Sequence, residues 1–263
     1  MDNVAIRTAA ERIWQLWSLG DTLAHLPPEL SPSSRAEGYA IQADLDRLSR
    51  ESRVGWKIAA TSAAGQKHIG VSGPIAGRIF RARVHAAGAT VSIAKNRMRV
   101  AEPEFAFRFA RSLAARDDPY SVDEVLAAVE SLHLALELPD SRFDDFAAVG
   151  EATLIADNAC AHDLILGAAV TADWRPFDLS DFAVSATVAR RYERAGNARN
   201  VLGDPRLALT WIANELSDLG IGIAAGEFVT TGTSVPPLEI IPGDQVRADF
   251  GVLGSISATI AAG

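Results

Sequence analysis

Apolar residues recur at helical spacing near the start of the chain. Residues 4–20 and 35–52 each carry an apolar stripe, which predicts two amphipathic helices. Residues 25–34 between them are rich in Pro and Ser and indicate a loop. Residues 54–61 form an apolar run short enough for a strand, and Ser62 is a candidate N-cap for a short helix behind it. This part of the chain therefore combines helices with a strand.

Strand periodicity dominates further along the chain. From Ser131 to Leu138 every second residue is leucine, so the leucines should face a core and Glu137 should lie on the opposite face. Two helix starts stand among the strands: a capping box from Ser121 to Glu124, and an Asp204–Pro205 pair. Residues 227–260 are typical of short strands broken by Gly and Pro. We therefore expect a mixed fold, with a smaller α/β lobe up to about residue 80.

Composition narrows the class of protein. The chain has 263 residues, of which 48% are hydrophobic and 22% charged, as in ordinary globular domains. A net charge of −8 argues against nucleic acid as a partner, because such binding needs clustered Lys and Arg. No apolar run is long enough to cross a membrane. Cys160 is the only cysteine, which rules out an internal disulfide, and we expect a cytoplasmic protein.

Three glutamates stand out because they lie in apolar, strand-like runs. Glu102 and Glu104 are two residues apart within residues 97–110, so a strand would place both carboxylates on one face. Glu137 lies in the leucine-rich strand. Neighbouring carboxylates repel unless a cation joins them, and Mg2+ and Mn2+ prefer oxygen ligands. The alternative is that all three lie on solvated strand faces, with Glu102 paired to a nearby arginine.

Lys57 lies in the apolar run VGWKIAATS. Such a lysine commonly extends its ammonium group to solvent, but it can also bind an anionic substrate or carry a proton. His133 would share a strand face with Glu137, where it could support a metal ligand or simply pack.

The run IADNAC contains further candidates. Asp157 and Asn158 can shape a turn or line a pocket, and Cys160 is most simply a buried, inert thiol. Near the C-terminus, a turn between strands could offer hydroxyls and backbone N–H groups to a carboxylate. Its residues are Thr231, Gly232 and Thr233.

These pieces, taken in order, resemble a known family. The runs that carry the resemblance are YAIQ (39–42), GWKIAATS (55–62), GPIAGRIF (73–80), EPEFAF (102–107), LELPDSR (136–142), IADNAC (155–160), GEFVTTGT (226–233) and PGDQVRADFGVLGSISATI (242–260). The chain is similar nearly end to end to the 2-oxopent-4-enoate (2-hydroxypentadienoate) hydratases and the related 4-oxalocrotonate decarboxylases of the fumarylacetoacetate hydrolase superfamily. The resemblance implies an α+β fold, with an N-terminal α/β lobe over residues 1–80 and a larger β-rich sandwich or roll over residues 81–263.

The resemblance also implies roles for individual residues. Glu102, Glu104 and Glu137 would bind Mg2+ or Mn2+, and Lys57 would lie at the active site. The substrate would meet five further residues, namely Asn158, Cys160, Thr231, Gly232 and Thr233. Three positions depart from the family pattern: Cys160 replaces a serine, Pro103 stands where alanine is usual, and Ile75 stands where some relatives carry aspartate.

The implied function is metal-dependent hydration. A 2-hydroxy-2,4-dienoate, equivalent to a 2-oxo-4-enoate, would take up water to give a 4-hydroxy-2-oxo acid in aromatic-compound catabolism. Decarboxylation of a 2-oxo diacid and acylpyruvate C–C hydrolysis are alternatives that use similar metal chemistry. A non-catalytic partner subunit is a further alternative, although such a chain would not need to keep three metal ligands. The resemblance and the Trp-bearing first helix also predict a homo-oligomer.

Overall fold

The computed structural model describes every residue from Met1 to Gly263. The helices are α1 (Asn3–Leu19), α2 (Arg35–Ser49), α3 (Ala63–Ile69), α4 (Val122–Ala128), α5 (Glu151–Ala156) and α6 (Pro205–Asp218). The strands are β1 (Arg53–Ala59), β2 (Ile75–Phe80), β3 (Val84–Ala86), β4 (Thr90–Ser92), β5 (Val100–Phe109), β6 (Val129–Leu138), β7 (Asp163–Ala169), β8 (Ala183–Val188), β9 (Tyr192–Asn197), β10 (Phe228–Thr233), β11 (Leu238–Glu239), β12 (Gln245–Asp249) and β13 (Ser255–Ala261). The α+β class is confirmed.

Local sequence signals explain where the predicted helices begin. Ser62 accepts a hydrogen bond from the backbone N–H of Gly65 at the start of α3, and Ser121 and Glu124 form the capping box of α4. Asp204 caps α6, with Pro205 as its first residue. The predicted loop at residues 25–34 contains one short 3-10 helix, Pro28–Leu30. No helix is both long and apolar enough to cross a bilayer.

Two sheets form the framework. The larger has the strand order β2-β1-β10-β5-β6-β7-β3, with β11 added to β5, and the smaller has the order β4-β13-β12-β8-β9. Most neighbouring strands are antiparallel, but β1 runs parallel to β10. This pairing places β1, from the first quarter of the chain, beside β10, from the last quarter.

The two faces of β5 and β6 differ, as their alternating residues predict. Leu134 and Phe105 belong to the main hydrophobic core, where the Phe105 ring meets Phe250, the residue after β12, edge-on at 5.0 Å between centroids. The opposite face carries the small residues Ala106 and Ala135 beside the glutamates. The predicted placement of leucines and Glu137 on opposite faces is confirmed, and both faces are buried.

Part of the first 80 residues is continuous with the rest of the fold. Strands β1 and β2 are hydrogen-bonded into the same sheet as β5 and β6. A separate small cluster joins α1 and α2 through Ile13, Ile41 and Leu45. This cluster also contains Phe80 of β2 and Phe143. The division into residues 1–80 and 81–263 therefore stays a prediction.

The Trp-bearing face of α1 packs within the chain. The Trp17 ring is buried and lies 5.6 Å from the Trp14 ring and 6.1 Å from Phe80, measured between centroids. These contacts use the apolar surface on which the sequence-based argument for a homo-oligomer partly rested. Oligomerisation stays a prediction, supported by the resemblance rather than by this helix.

Candidate metal and substrate site

Strand pairing brings the three glutamates together. Glu102 of β5 lies directly opposite Glu137 of β6, and Glu104 is two residues along β5 on the same face. One carboxylate oxygen from each lies within 4.8 Å of the other two. The two arginines near Glu102 in sequence bond elsewhere: Arg108 pairs with Glu130, and Arg99 contacts Asn96. The three carboxylates therefore form one cluster without an arginine.

The electrostatics of the cluster are unfavourable without a cation. Burial raises the pKa of Glu102 to about 7, with a further contribution from the charge of Glu137. Burial, followed by the charges of Glu137 and Glu102, holds the pKa of Glu104 well above its usual range. Glu104 accepts a hydrogen bond from the Gly232 N–H at 2.9 Å through one oxygen. Its other oxygen, and one oxygen of Glu137, are buried without a hydrogen-bond partner.

Lys57 lies beside this cluster, and its ammonium group does not extend to solvent. Its Nζ is 3.1 Å from a Glu137 oxygen and donates to the Ala159 carbonyl at 2.9 Å, with only 3% of the residue exposed. Burial lowers the Lys57 pKa, but the charges of the three glutamates outweigh burial and leave it raised. An ammonium group has three donors. Two are used by the protein, so one remains for an anionic ligand.

A left-handed turn presents the Ala159 carbonyl to Lys57. Asn158, Ala159 and Cys160 have consecutive φ angles of 56°, 50° and 58°, a conformation that is costly for residues other than glycine. The Asn158 side chain holds the turn by accepting from the Arg78 N–H at 2.6 Å and donating to the Arg78 carbonyl at 2.9 Å. Each bond fixes the turn against β2.

A buried ion pair anchors the residue before this turn. Asp157 pairs with the Arg142 guanidinium and accepts from the Ser141 hydroxyl at 2.7 Å. The Arg142 guanidinium also lies 4.3 Å from the Trp17 ring centroid, which provides a cation–π contact. Sequence analysis identified Asp157 without its partner, because the pair is formed by residues from two separate loops.

A cavity of about 560 Å³ opens over the cluster. Lys57 and Glu102 lie at its charged end, and the only other titratable groups that line it are His68 and the Cys160 thiol. Burial raises the pKa of that thiol to about 12, so it stays protonated and cannot act as a base near neutral pH. Most of the wall is apolar. Prominent wall residues are Ile69, Ile75, Met98, Phe146, Leu154 and Val235.

The predicted substrate residues divide into two groups. Cys160, Gly232 and Thr233 line the cavity. Asn158 and Thr231 do not line it, and their assignment as direct substrate contacts stays a prediction. Asn158 is committed to the Arg78 backbone, and the Thr231 hydroxyl donates to the Phe105 carbonyl at 3.2 Å. Both residues shape the site through the backbone they hold.

Gly232 has a specific steric reason to be glycine. Its φ is +96°, and a Cβ there would lie 2.2 Å from the Thr61 hydroxyl. Thr61 itself lines the cavity and was not identified from sequence. His133 is a packing residue, because its ring nitrogens bond to Ser131 and to the Gly167 carbonyl, each at 2.9 Å.

Comparison with known proteins identifies the family. A family model described as "Fumarylacetoacetate (FAA) hydrolase C-terminal" matches residues 73–261. The chain belongs to this fumarylacetoacetate hydrolase family. A 2-keto-4-pentenoate hydratase of Burkholderia vietnamiensis is 30% identical to it over 266 residues, which cover 98% of each chain. A 4-oxalocrotonate decarboxylase of Pseudomonas sp. is 30% identical over 214 residues, covering 80% of each.

Solved structures from the family give the same fold. The 4-oxalocrotonate decarboxylase from Pseudomonas putida G7, complexed with magnesium and adipate, has a TM-score of 0.90 to this chain. The two are 25% identical, and the match covers 99% of this chain and 98% of the relative. A second structure of that enzyme, complexed with calcium and acetate, has a TM-score of 0.88.

The residues present in this chain fit a divalent cation. Two unpartnered carboxylate oxygens, on Glu104 and Glu137, lie in a cluster of three acidic groups. Oxygen-rich, anionic clusters of this kind suit hard divalent ions. Together with the relatives' bound ions, this indicates a divalent metal site.

Proposed function

We propose that the chain is a metal-dependent hydratase that adds water to a 2-hydroxy-2,4-dienoate to give a 4-hydroxy-2-oxo acid. One observation carries the proposal: three carboxylates and one lysine form a buried cluster, of which Glu102 and Lys57 line a largely apolar cavity. Such an arrangement suits a substrate with one anionic end and one apolar end. The chain's relatives include 2-keto-4-pentenoate hydratases at about 30% identity over nearly the whole length.

Different residues of the chain would bind the metal, bind the substrate carboxylate and exclude bulk water. Glu102, Glu104 and Glu137 would hold Mg2+ or Mn2+, and a bound cation of this type supplies a Lewis acid that polarises substrate oxygens. Lys57 would bind the substrate carboxylate through its remaining donor. The Ala159 carbonyl and Glu137 keep the ammonium group in place. The apolar wall would exclude bulk water from the diene, except where water enters the site to react.

The number of positively charged side chains in the cavity distinguishes hydration of a monoacid from decarboxylation of a diacid. Decarboxylation of a diacid calls for a second cation to bind the distal carboxylate. The nearby arginines do not line the cavity: Arg78 bonds to Asp46, Arg142 bonds to Asp157, and Arg81 is exposed. Lys57 is therefore the only lysine or arginine in the lining, which favours a monoacid substrate.

A direct assay tests the proposal. Purified protein with Mg2+ should remove the ultraviolet absorbance of 2-hydroxypenta-2,4-dienoate or a longer analogue, and chelator should stop the reaction. Replacing Mg2+ with Mn2+ or Ca2+ in the same assay identifies the ion that supports turnover. If no dienoate loses absorbance with any of these ions, the hydratase proposal fails.

Decarboxylation is the second candidate, and one observation favours it. The solved structure at TM-score 0.90 is a 4-oxalocrotonate decarboxylase complexed with the diacid adipate. Incubating the protein with an oxalocrotonate-like diacid and measuring CO2 tests this reaction. Release of CO2 from the diacid, without hydration of a monoacid, would replace the hydratase proposal with this one.

A further inference from the structure

The cavity is larger than a five-carbon substrate needs. A value of about 30 Å³ for each heavy atom, which is a water's share of the liquid volume, is a generous upper figure for an organic acid. The eight heavy atoms of 2-hydroxypenta-2,4-dienoate would then fill about 240 Å³. A metal ion with a few waters adds on the order of 100 Å³ by the same measure. The cavity measures about 560 Å³, so space for several more carbon atoms remains.

The chemistry of this extra space is apolar. Lys57 and Glu102 are the only lysine, arginine, aspartate or glutamate residues in the lining. Apolar residues such as Met98, Phe146 and Leu154 make up most of the remaining lining. His68, at the exposed edge, turns its ring edge-on to Phe146 at 6.0 Å between centroids. A distal carboxylate would meet no lysine or arginine there, and its burial beside apolar groups would be costly.

We propose that the site takes 2-hydroxy-2,4-dienoates whose distal end carries an alkyl chain of about three carbons or more. This inference rests on the proposed hydratase function and names its substrate class. The preferred substrate is therefore longer than the pentenoate and hexadienoate acids for which the relatives are named. Each methylene buried in the cavity contributes about fourfold in affinity. Three methylenes would give up to about sixtyfold.

Three substrates of defined length and charge test the inference. They are 2-hydroxypenta-2,4-dienoate, 2-hydroxyocta-2,4-dienoate and the eight-carbon 2,4-dienedioate that ends in a second carboxylate. With Mg2+ present, we expect kcat/KM for the eight-carbon monoacid to exceed that for the five-carbon acid at least tenfold. The diacid should fall below the eight-carbon monoacid by a similar factor. Equal or better turnover of the five-carbon acid, or of the diacid, would overturn the inference.

Helix α3 supplies a matched pair of variants. Ala64 lines the cavity and is exposed at its mouth, whereas its neighbour Ala63 is exposed and does not line it. Ala64→Phe should fill the distal space and lower the eight-carbon to five-carbon ratio of kcat/KM at least fivefold. Ala63→Phe makes the same change on the same helix and should leave that ratio intact. If Ala64→Phe reduces turnover of both acids equally, the alkyl chain does not lie against α3 and the inference fails.

Binding without turnover separates the two proposals. The saturated acids 2-oxopentanoate and 2-oxooctanoate cannot be hydrated, so calorimetric titration in the presence of Mg2+ reports affinity alone. We expect the longer acid to bind at least tenfold more tightly. A tenfold preference with no hydration of any dienoate would retain the apolar subsite and reject the hydratase reaction. Hydration of a dienoate with no preference for the longer acid would retain the hydratase reaction and reject the apolar subsite.

Discussion

Replacing Glu104 with glutamine tests whether the acidic cluster exists for a metal. The residue is fully buried, keeps one oxygen bonded to the Gly232 N–H, and leaves the other without a partner. Glutamine has nearly the same shape as glutamate, and its amide oxygen can still accept the hydrogen bond from the Gly232 N–H. It removes the charge, however. A ligand role and a structural role therefore predict opposite changes in stability.

The magnitudes follow from the geometry of the cluster. At 4.8 Å, two carboxylate charges repel by about 3.5 kcal/mol when the effective dielectric constant is about 20. Protonation of Glu104, whose pKa burial and its acidic neighbours raise, relieves part of this repulsion in the metal-free protein. We therefore expect the metal-free Glu104→Gln variant to melt at the same temperature as the parent or higher. Removing the charge of a buried metal-binding carboxylate that has no cation beside it relieves repulsion, so the substitution does not lower the stability of the metal-free protein.

The stabilisation that metal binding provides should be smaller in the Glu104→Gln variant than in the parent. Metal at one hundred times its Kd stabilises the parent by about 2.7 kcal/mol, or roughly 5–11 °C in Tm. Even residues that only support a ligand alter metal affinity by about 10- to 100-fold, so loss of a ligand should weaken binding at least 100-fold. At the same metal concentration, the variant would then gain only about 0.4 kcal/mol, which is roughly 1–2 °C.

Thermal melts with and without Mg2+ measure both quantities. Glu130→Gln is the control, because Glu130 lies on β6 like Glu137 but is exposed and paired with Arg108. It should leave the metal-induced shift unchanged. A Glu104→Gln variant with a lower metal-free Tm and a full metal-induced shift would refute the ligand assignment.

Four further outcomes are expected. Lys57→Met should lower kcat/KM at least tenfold per folded molecule, and turnover that follows the folded fraction alone would show a structural role. Asp157→Asn weakens the buried pair with Arg142 and should cost about 3–5 kcal/mol in a urea titration, whereas a loss below about 1 kcal/mol would contradict the pairing. Burial and the charge of Glu137 raise the folded pKa of Glu102 to about 7, above its unfolded value of 4.5. The metal-free protein should therefore lose the stability due to this group as pH rises from about 4.5 to 7. Over the same interval its metal affinity should rise, because protons compete with the ion, and a Kd independent of pH, measured by calorimetry, would contradict this.

The glutamate cluster could be predicted because strand geometry is regular. A spacing of two fixes a shared face, and alternating leucines fix which face of β6 carries Glu137. Lys57 was also identified from its apolar surroundings. Its partner, the Ala159 carbonyl, was not, because a backbone atom in a left-handed turn has no signature in side-chain pattern. Helix α5 and strands β2, β7, β8 and β9 were not assigned individually, since their runs are short.

The cavity wall was harder to predict than its charged end. Phe146, Met98 and Val235 come from separate connecting segments that approach only in the folded chain. Nothing in their spacing marks them as neighbours. The assignments of Asn158 and Thr231 as substrate contacts rested on residue type in predicted turns and on motif resemblance. A motif reports that a residue matters to the site, but the direction of its side chain depends on the local backbone.

The parallel pairing of β1 with β10 also determines when the site can form during synthesis. Lys57 stands in register with Thr230, and Trp56 with Val229. Until the ribosome has released β10, the edge of β1 that pairs with it has no partner, and its apolar residues Trp56 and Ile58 lack part of their packing. Open strand edges invite aggregation. A nascent chain that stops before residue 228 therefore cannot build the site, and we expect such truncated products to depend on chaperones or proteases for their removal.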